Sequence, residues 1–423
     1  MPEWSWPGAC GVWPEDRHAS MQAPAALTLW RAPRWILAVL LASLGTLGPF
    51  AIDTYLPAFA GIAREIGATP LQMQQTLSAY LLGFAVMNLF HGALADSFGR
   101  RPVVLTGIAA FTLASVGCAL SDHVGWLIFF RAVQGMSTGA GIVVSRAVIR
   151  DLFPPAEAQR MMSQVTIFFG IAPAVAPMLG GWLYVNLGWA TVFWFLAAVG
   201  VLIWLGVWQA LPETLAPEHR QPFEVRHLLR GYLEFGSNDR FWLLALASGV
   251  PFNGMFLYVL SAPAYLGEHL KLMPTEFFWF FLVNIAGIMV GAWMSGRLAG
   301  RLPRRRQVRL GFSILIAATV FNLIGNFAFE LTFPWAMLPI AAYALGWAVL
   351  VPVVTLMVLD LAPQRRGLAS SLQATVGSAA NALVAGVIAP IVMHDAHALA
   401  FTSALLMCVG FFAWQQVKRR APL

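Results

Sequence analysis

The sequence predicts an all-α membrane protein: twelve transmembrane helices in two six-helix pseudo-repeats. Three observations carry that prediction. The 423 residues are 59% hydrophobic and only 11% charged, against roughly 25% charged in an ordinary soluble domain. Apolar runs about twenty residues long, the length a helix needs to cross the hydrocarbon, recur along the whole chain. Short sequences that close runs in the first half return at the corresponding places in the second.

Taken in order, residues 1–34 hold Trp4, Trp6 and Trp13 among prolines and charges. They lack the basic start and continuous apolar core of a cleavable signal. They are expected to form a disordered cytoplasmic tail, with translation starting at Met1 or Met21. Spans follow at 35–59, 74–95, 102–120, 126–149, 161–185 and 189–210, which make the first bundle, 35–210. A polar cytoplasmic linker, 211–240, carries Pro212, Pro217 and Pro222 and a short surface helix around Phe223–Leu233. The second bundle, 241–416, contains spans at 241–265, 275–297, 308–327, 333–357, 367–392 and 397–416, and a cytoplasmic tail occupies 417–423.

Charge orients the chain. One side carries Arg100, Arg101, Arg150, Arg160, the linker, the arginines from 297 to 309, Arg365, Arg366 and the stretch Lys418 to Arg420; the other carries only Arg64 and Lys271. Basic loops stay in the cytoplasm, so both termini are expected there. The formal charge of +7 is spread over these short loops and forms no stripe for nucleic acid. Cys10, Cys118 and Cys408 are too far apart in sequence to indicate a disulfide framework or a metal site. With no P-loop, zinc-ligand spacing or nucleophile elbow in the loops, the chain reads as no enzyme, without cofactor or metal. The proton gradient is the remaining energy source.

The repeat is visible residue by residue. The segment Gly92 to Arg101 (GALADSFGRR) after span 2 aligns with Gly296 to Arg305 (GRLAGRLPRR) after span 8. Asp151-Leu-Phe-Pro after span 4 aligns with Asp360-Leu-Ala-Pro after span 10. Parallel halves of this kind build transporters that rock around a central site.

The loop with Gly92, Asp96, Gly99, Arg100 and Arg101 resembles the signature loop of the major facilitator superfamily. Four further stretches resemble its drug:proton antiporters of the bicyclomycin/chloramphenicol-resistance (Bcr/CflA) family: Asp53-Thr-Tyr-Leu-Pro57, Leu77-Ser-Ala-Tyr80-Leu-Leu-Gly-Phe84, Arg131-Ala-Val-Gln134-Gly135 and Leu211-Pro-Glu-Thr-Leu215. In span 5, Gly170, Pro173, Pro177, Gly180 and Gly181 resemble the antiporter motif of exporters, with Ala176 where a glycine often stands. Read physically, the prolines remove backbone donors and bend the helix while the glycines admit a close neighbour; a kinked packing helix is the simpler alternative.

Asp53 is the one acid well inside a span, and Arg131 in span 4 is the basic residue set deepest in any span, at similar depth. A buried acid apart from Arg131 is favoured neutral, and the same acid beside Arg131 is favoured ionised. The resemblance implies proton coupling through this pair; the alternative is a static pair snorkelling to the outer interface. It also implies that Asp96, set against the start of span 11 near Gly367, and Arg100, paired with Asp151, latch the halves in the outward-facing state; the alternative is solvated loop charges that only fix topology, and the second-half copy, with Gly300 in place of Asp96, would form an incomplete latch. Tyr80, Gln134, Asn253, Tyr258, Asn284 and Asn381 are the polar candidates for the cavity wall, and His91 reads as interfacial.

The expectation is therefore a proton-coupled multidrug exporter of small amphipathic compounds, chloramphenicol- or bicyclomycin-like. It would work as a monomer in a bacterial inner membrane, in contact with lipid and with no nucleic acid. The alternatives are a metabolite exporter, for instance of an amino acid, and a membrane sensor that has lost transport.

Overall fold

A computed structural model of the chain describes residues 34–153, 161, 173, 175–220, 222–299, 301–329, 332–361 and 366–420. The expected N-terminal tail with Met21 and Cys10, and also Arg160, Gly170, Gly300 and Arg365, lie outside the described residues.

The first half contains α1 (Arg34–Asp53), α2 (Pro70–Phe98), α3 (Arg100–Ala119), α4 (Val124–Leu152), α5, described over 175–187, and α6 (Ala190–Ala210). A linker helix (Val225–Gly236) leads to α7 (Asp239–Leu260), α8 (Phe278–Leu298), α9 (Arg304–Ala328), α10 (Leu338–Asp360), α11 (Arg366–Leu383) and α12 (Ala396–Arg420). No strand occurs among the described residues, and 11 helices there are long and apolar enough to cross a membrane.

Local chemistry explains the boundaries. α2 begins four residues before the expected 74, because Thr69 and Gln72 close a reciprocal cap around Pro70. It stops at Gly99, whose φ of 102° suits only glycine. The first span, expected to be continuous over 35–59, breaks instead at Asp53. Pro57 has no N–H and disfavours helical geometry in the residue before it, so the chain passes through a turn and a 3-10 segment (Leu56–Ala58) before resuming at Phe59–Glu65. The break tightens the hydrogen bonding: Tyr55 N–H donates to Ile52 O, leaving Ala51 O without its usual partner four residues on.

Packing sorts the helices into two groups. α1 lies on α4 and α6, α2 on α4, and α3 on α4 and α6; after the linker, α7 packs on α10, α11 and α12, α8 on α10, and α9 on α10 and α12. The groups meet mainly where α2 runs along α11. On the face away from the chain termini they are sealed together. There Gln74 Nε2 donates to Leu260 O at 3.0 Å, Ser78 Oγ donates to Ala382 O at 2.8 Å, and Gly181 packs on the Pro274 carbonyl. Towards the terminal face they part around a cavity.

Candidate transport site

Two sites emerge, at different depths. The first is built on the break in α1. Arg131, fully buried on α4, donates through Nη1 to the orphaned Ala51 carbonyl at 3.1 Å and to Gln134 Oε1 at 2.6 Å. A cation at a helix C-terminus also suits the negative end of the helix dipole. The guanidinium lies between two rings, 4.8 Å from the Tyr55 centroid and 4.4 Å from that of Tyr80.

Those rings are themselves fixed: Tyr55 OH is 2.8 Å from Thr76 Oγ1, and Tyr80 OH donates to Gly48 O at 3.1 Å and lies 3.0 Å from Thr138 Oγ1. Gln134 is held in turn by its bond to Ser115 Oγ at 2.7 Å. Asp53, 5% exposed, ends α1 two residues beyond Ala51. Among the described residues no hydrogen bond or ion pair joins it to Arg131, whose Nε and Nη2 meet no protein acceptor. Arg131 reaches the backbone two residues before Asp53, yet the two charges stand apart here.

The antiporter-motif helix reaches the same place. Pro173 is half-buried and Pro177 and Gly180 are buried on α5; a side chain at Gly180 would collide with the Thr54 carbonyl, beside Asp53. Gly135 makes a similar close approach to the Tyr80 backbone.

The second site is the cavity between the groups, about 380 Å³ in volume, in the range of small-molecule sites. Phe84, Asn88, Phe252 and Trp347 supply much of its wall, together with Ser248, Gln373, Ser378 and Asn381, and Arg146 from α4. Of the six polar residues expected to line the cavity, only Asn381 does so. The other five are corrected to packing positions, because an uncharged polar group within a span is satisfied most readily by a neighbouring helix or its own carbonyls. Tyr80 and Gln134 belong to the Arg131 cluster. Asn253 and Asn284 donate to Gly249 O and Phe280 O of their own helices, and Tyr258 OH accepts from Asn322 at 2.8 Å. His91, expected at the interface, is buried under Gly139.

The residues expected to form a latch cluster at the terminal face. Arg100 contacts Asp96 one turn back and donates through Nε to Asp151 Oδ2 at 3.2 Å. Gly92 faces Val143 on α4, and Arg101 Nη2 donates to Trp208 O at 2.6 Å. Sequence reasoning missed Glu213 and Thr214. The Glu213 carboxylate accepts from the backbone N–H of Arg100 (3.0 Å) and Arg101 (3.2 Å), capping α3, and Thr214 Oγ1 donates to Asp151 Oδ2 at 3.1 Å. The Leu211 to Leu215 stretch was the available signal, since an acid there has helix starts to meet. Asp96 was expected against α11; among the described residues its bond is to Arg100 within its own half, and the side chain of Gly367's neighbour Arg366 lies outside the description.

Comparison with known proteins agrees with this architecture. The sequence profile of the Major Facilitator Superfamily matches residues 37–385. The chain is similar to a "Bicyclomycin resistance protein homolog" of Haemophilus influenzae, 29% identical over 385 residues, covering 90% of this chain and 95% of the relative. It is also similar to "Multidrug resistance protein D" of Escherichia coli K12, 27% identical over 394 residues, covering 91% and 96%. Among solved structures, a peptide transporter in complex with sulfate superimposes with a TM-score of 0.75 at 16% identity, covering 95% of this chain and 99% of that one, a likeness of fold alone.

Proposed function

The chain belongs to the Major Facilitator Superfamily and is a multi-pass membrane transporter, not an enzyme, and from that premise we propose that it exports small amphipathic compounds from a bacterial cytoplasm in exchange for protons, with Asp53 as the proton-carrying acid. The names of its relatives, which speak of bicyclomycin and multidrug resistance, support drug-like cargo. The basic terminal face is the cytoplasmic one by the positive-inside rule. The cavity open toward it and the seal on the far side then describe the inward-facing state.

The reading rests on Arg131, a fully buried guanidinium with two donor nitrogens unused among the described residues while the carboxyl of Asp53 stands nearby without it. Each unused donor costs about 1–3 kcal/mol, so a state in which Asp53 approaches Arg131 gains those bonds and holds the acid ionised. A state in which they part leaves Asp53 in apolar surroundings, where the neutral acid is favoured. Proton loading and release follow from that movement. Moving one charge across the membrane supplies about 2.3 kcal/mol per 100 mV.

The rocking that moves α1 against α4 also opens and closes the cavity, with the Arg100–Asp151 cluster closing against α11 in the outward-facing state. The test is proton release from inverted vesicles with an acid interior on addition of chloramphenicol-type compounds. Release in the wild type that is absent in Asp53→Asn is expected. Equal release in both would overturn the role of Asp53; silence in both, with folded protein, would redirect the reading to a metabolite or to sensing.

A further inference from the structure

Arg146 has no role in the proton cluster. It lies fifteen residues beyond Arg131 on the same helix, about 22 Å along its axis. Its side chain is exposed, but to the cavity between the helix groups: the neighbouring wall is Asn88 on α2, Ser248 and Phe252 on α7, and Ser371 on α11. Among the described residues no carboxylate lines that cavity, and no hydrogen bond or ion pair engages Arg146. Its position also rules out a topological role in a loop or at a lipid headgroup, since α11 and α7 from the other half close around it.

Arginine stays charged, presents up to five donors in a planar fork and accepts nothing. A lone guanidinium in a mostly apolar cleft inside a membrane protein is unfavourable unless water or a ligand compensates it. The rest of the wall complements an apolar body. Phe252 and Trp347 have ring centroids 4.8 Å apart, and Trp347 is pinned by its indole N–H donating to Ser248 O at 2.9 Å. Asn381 adds an amide whose Oδ1 is buried without a partner among the described residues.

We infer that Arg146 is the anchor of an anion subsite in this cavity, and that the preferred cargo carries one carboxylate on an aromatic or apolar body. The inference rests on the cavity being the transport site proposed above. It changes the expected specificity: the only fixed charge at the cargo site among the described residues is positive, so cationic drugs are disfavoured there and monoanions favoured.

The test uses the full chain purified in detergent, with naphthoate and its neutral isostere naphthamide as probes, and repeats both in proteoliposomes. Wild-type protein is expected to bind naphthoate about tenfold more tightly than naphthamide, as one charge-assisted pair would give. Arg146→Gln abolishes that preference, its folding checked by an unchanged unfolding temperature in detergent; Arg146→Lys keeps part of it. A preference that survives in Arg146→Gln, or no preference in the wild type, overturns the inference. The exporter reading fails separately: Arg146-dependent binding without exchange in proteoliposomes supports the anion subsite and sinks export, whereas Asp53-dependent exchange indifferent to Arg146 does the reverse.

Discussion

Ser78 on α2 donates to the carbonyl of Ala382 on α11 at 2.8 Å, tying the two helix groups together on the face away from the termini. Gln74, one turn earlier on α2, does the same through Leu260 O and lies 3.3 Å from Met393 Sδ. If the groups rock, these contacts must part in every cycle. Ser78→Cys combined with Ala382→Cys is therefore expected to crosslink with a short bifunctional thiol reagent, to stop substrate exchange, and to regain it on reversal. A fully crosslinked protein that still exchanges substrate would show that this seal need not open.

Much of the architecture was readable because a membrane imposes length and charge rules on every span. The repeat holds more than was read from it: only Arg100 with Asp151 was expected to pair, yet Arg304 and Asp360, which align with them, form an ion pair as well, the two contacts lying at 3.2 and 2.7 Å. The cavity wall was not readable. Asn253 and Asn284 look like cargo contacts in sequence, yet which face of a helix looks inward depends on groove packing that leaves no signature at single positions. Arg146 was given no role in the sequence, where only Arg150, four residues on, was read as cytoplasmic charge. The signal that could have found it is its place within the apolar run 126–149. The capture of Ala51 O by Arg131 was invisible as well, since it requires knowing that α1 breaks at Asp53.

The contact between Gly180 and the Thr54 carbonyl gives the antiporter motif a mechanical reading. There is no room for even one added carbon, so Gly180→Ala must push α5 away from the turn that carries Asp53. Overpacking of this sort costs about 1–3 kcal/mol. Proton-coupled exchange is expected to fall more steeply than stability, because the displacement is centred on Asp53. Met178→Ala, on the exposed side of the same helix, serves as the control. Normal exchange by Gly180→Ala would refute the coupling of α5 to this turn.

The two repeated ion pairs differ in surroundings and hence in worth. Arg100 has a side chain only 7% exposed and meets two carboxylates, whereas Arg304 and Asp360 are 57% and 45% exposed. A solvated pair contributes about 0.2–1 kcal/mol, and removing one partner of a buried pair costs several-fold more. Double-mutant cycles read by thermal unfolding in detergent should give a larger coupling energy for Arg100 with Asp151 than for Arg304 with Asp360. Raising the salt concentration should weaken only the second appreciably. Equal couplings would mean that burial does not distinguish the halves.

Asp395 precedes α12 in the connection on the far face and caps it, its Oδ1 accepting from the backbone N–H of His397 at 2.8 Å and of Ala398 at 3.3 Å. Those two N–H groups hold its carboxyl below the usual carboxylate range. A group whose folded value is depressed adds stability above its unfolded value, near 3.8, and loses it as the pH falls through the lower folded value. Asp395→Ala should therefore unfold at a lower temperature than the wild type by the same margin from neutral pH down to about pH 4, and the margin should shrink in more acid solution. An exposed cap belongs at the low end of the measured range, about 0.5–1 kcal/mol. A margin that grows on acidification would have the wrong sign for a capping carboxylate and would shift the effect to His397, whose Nδ1 lies 3.3 Å from the same oxygen.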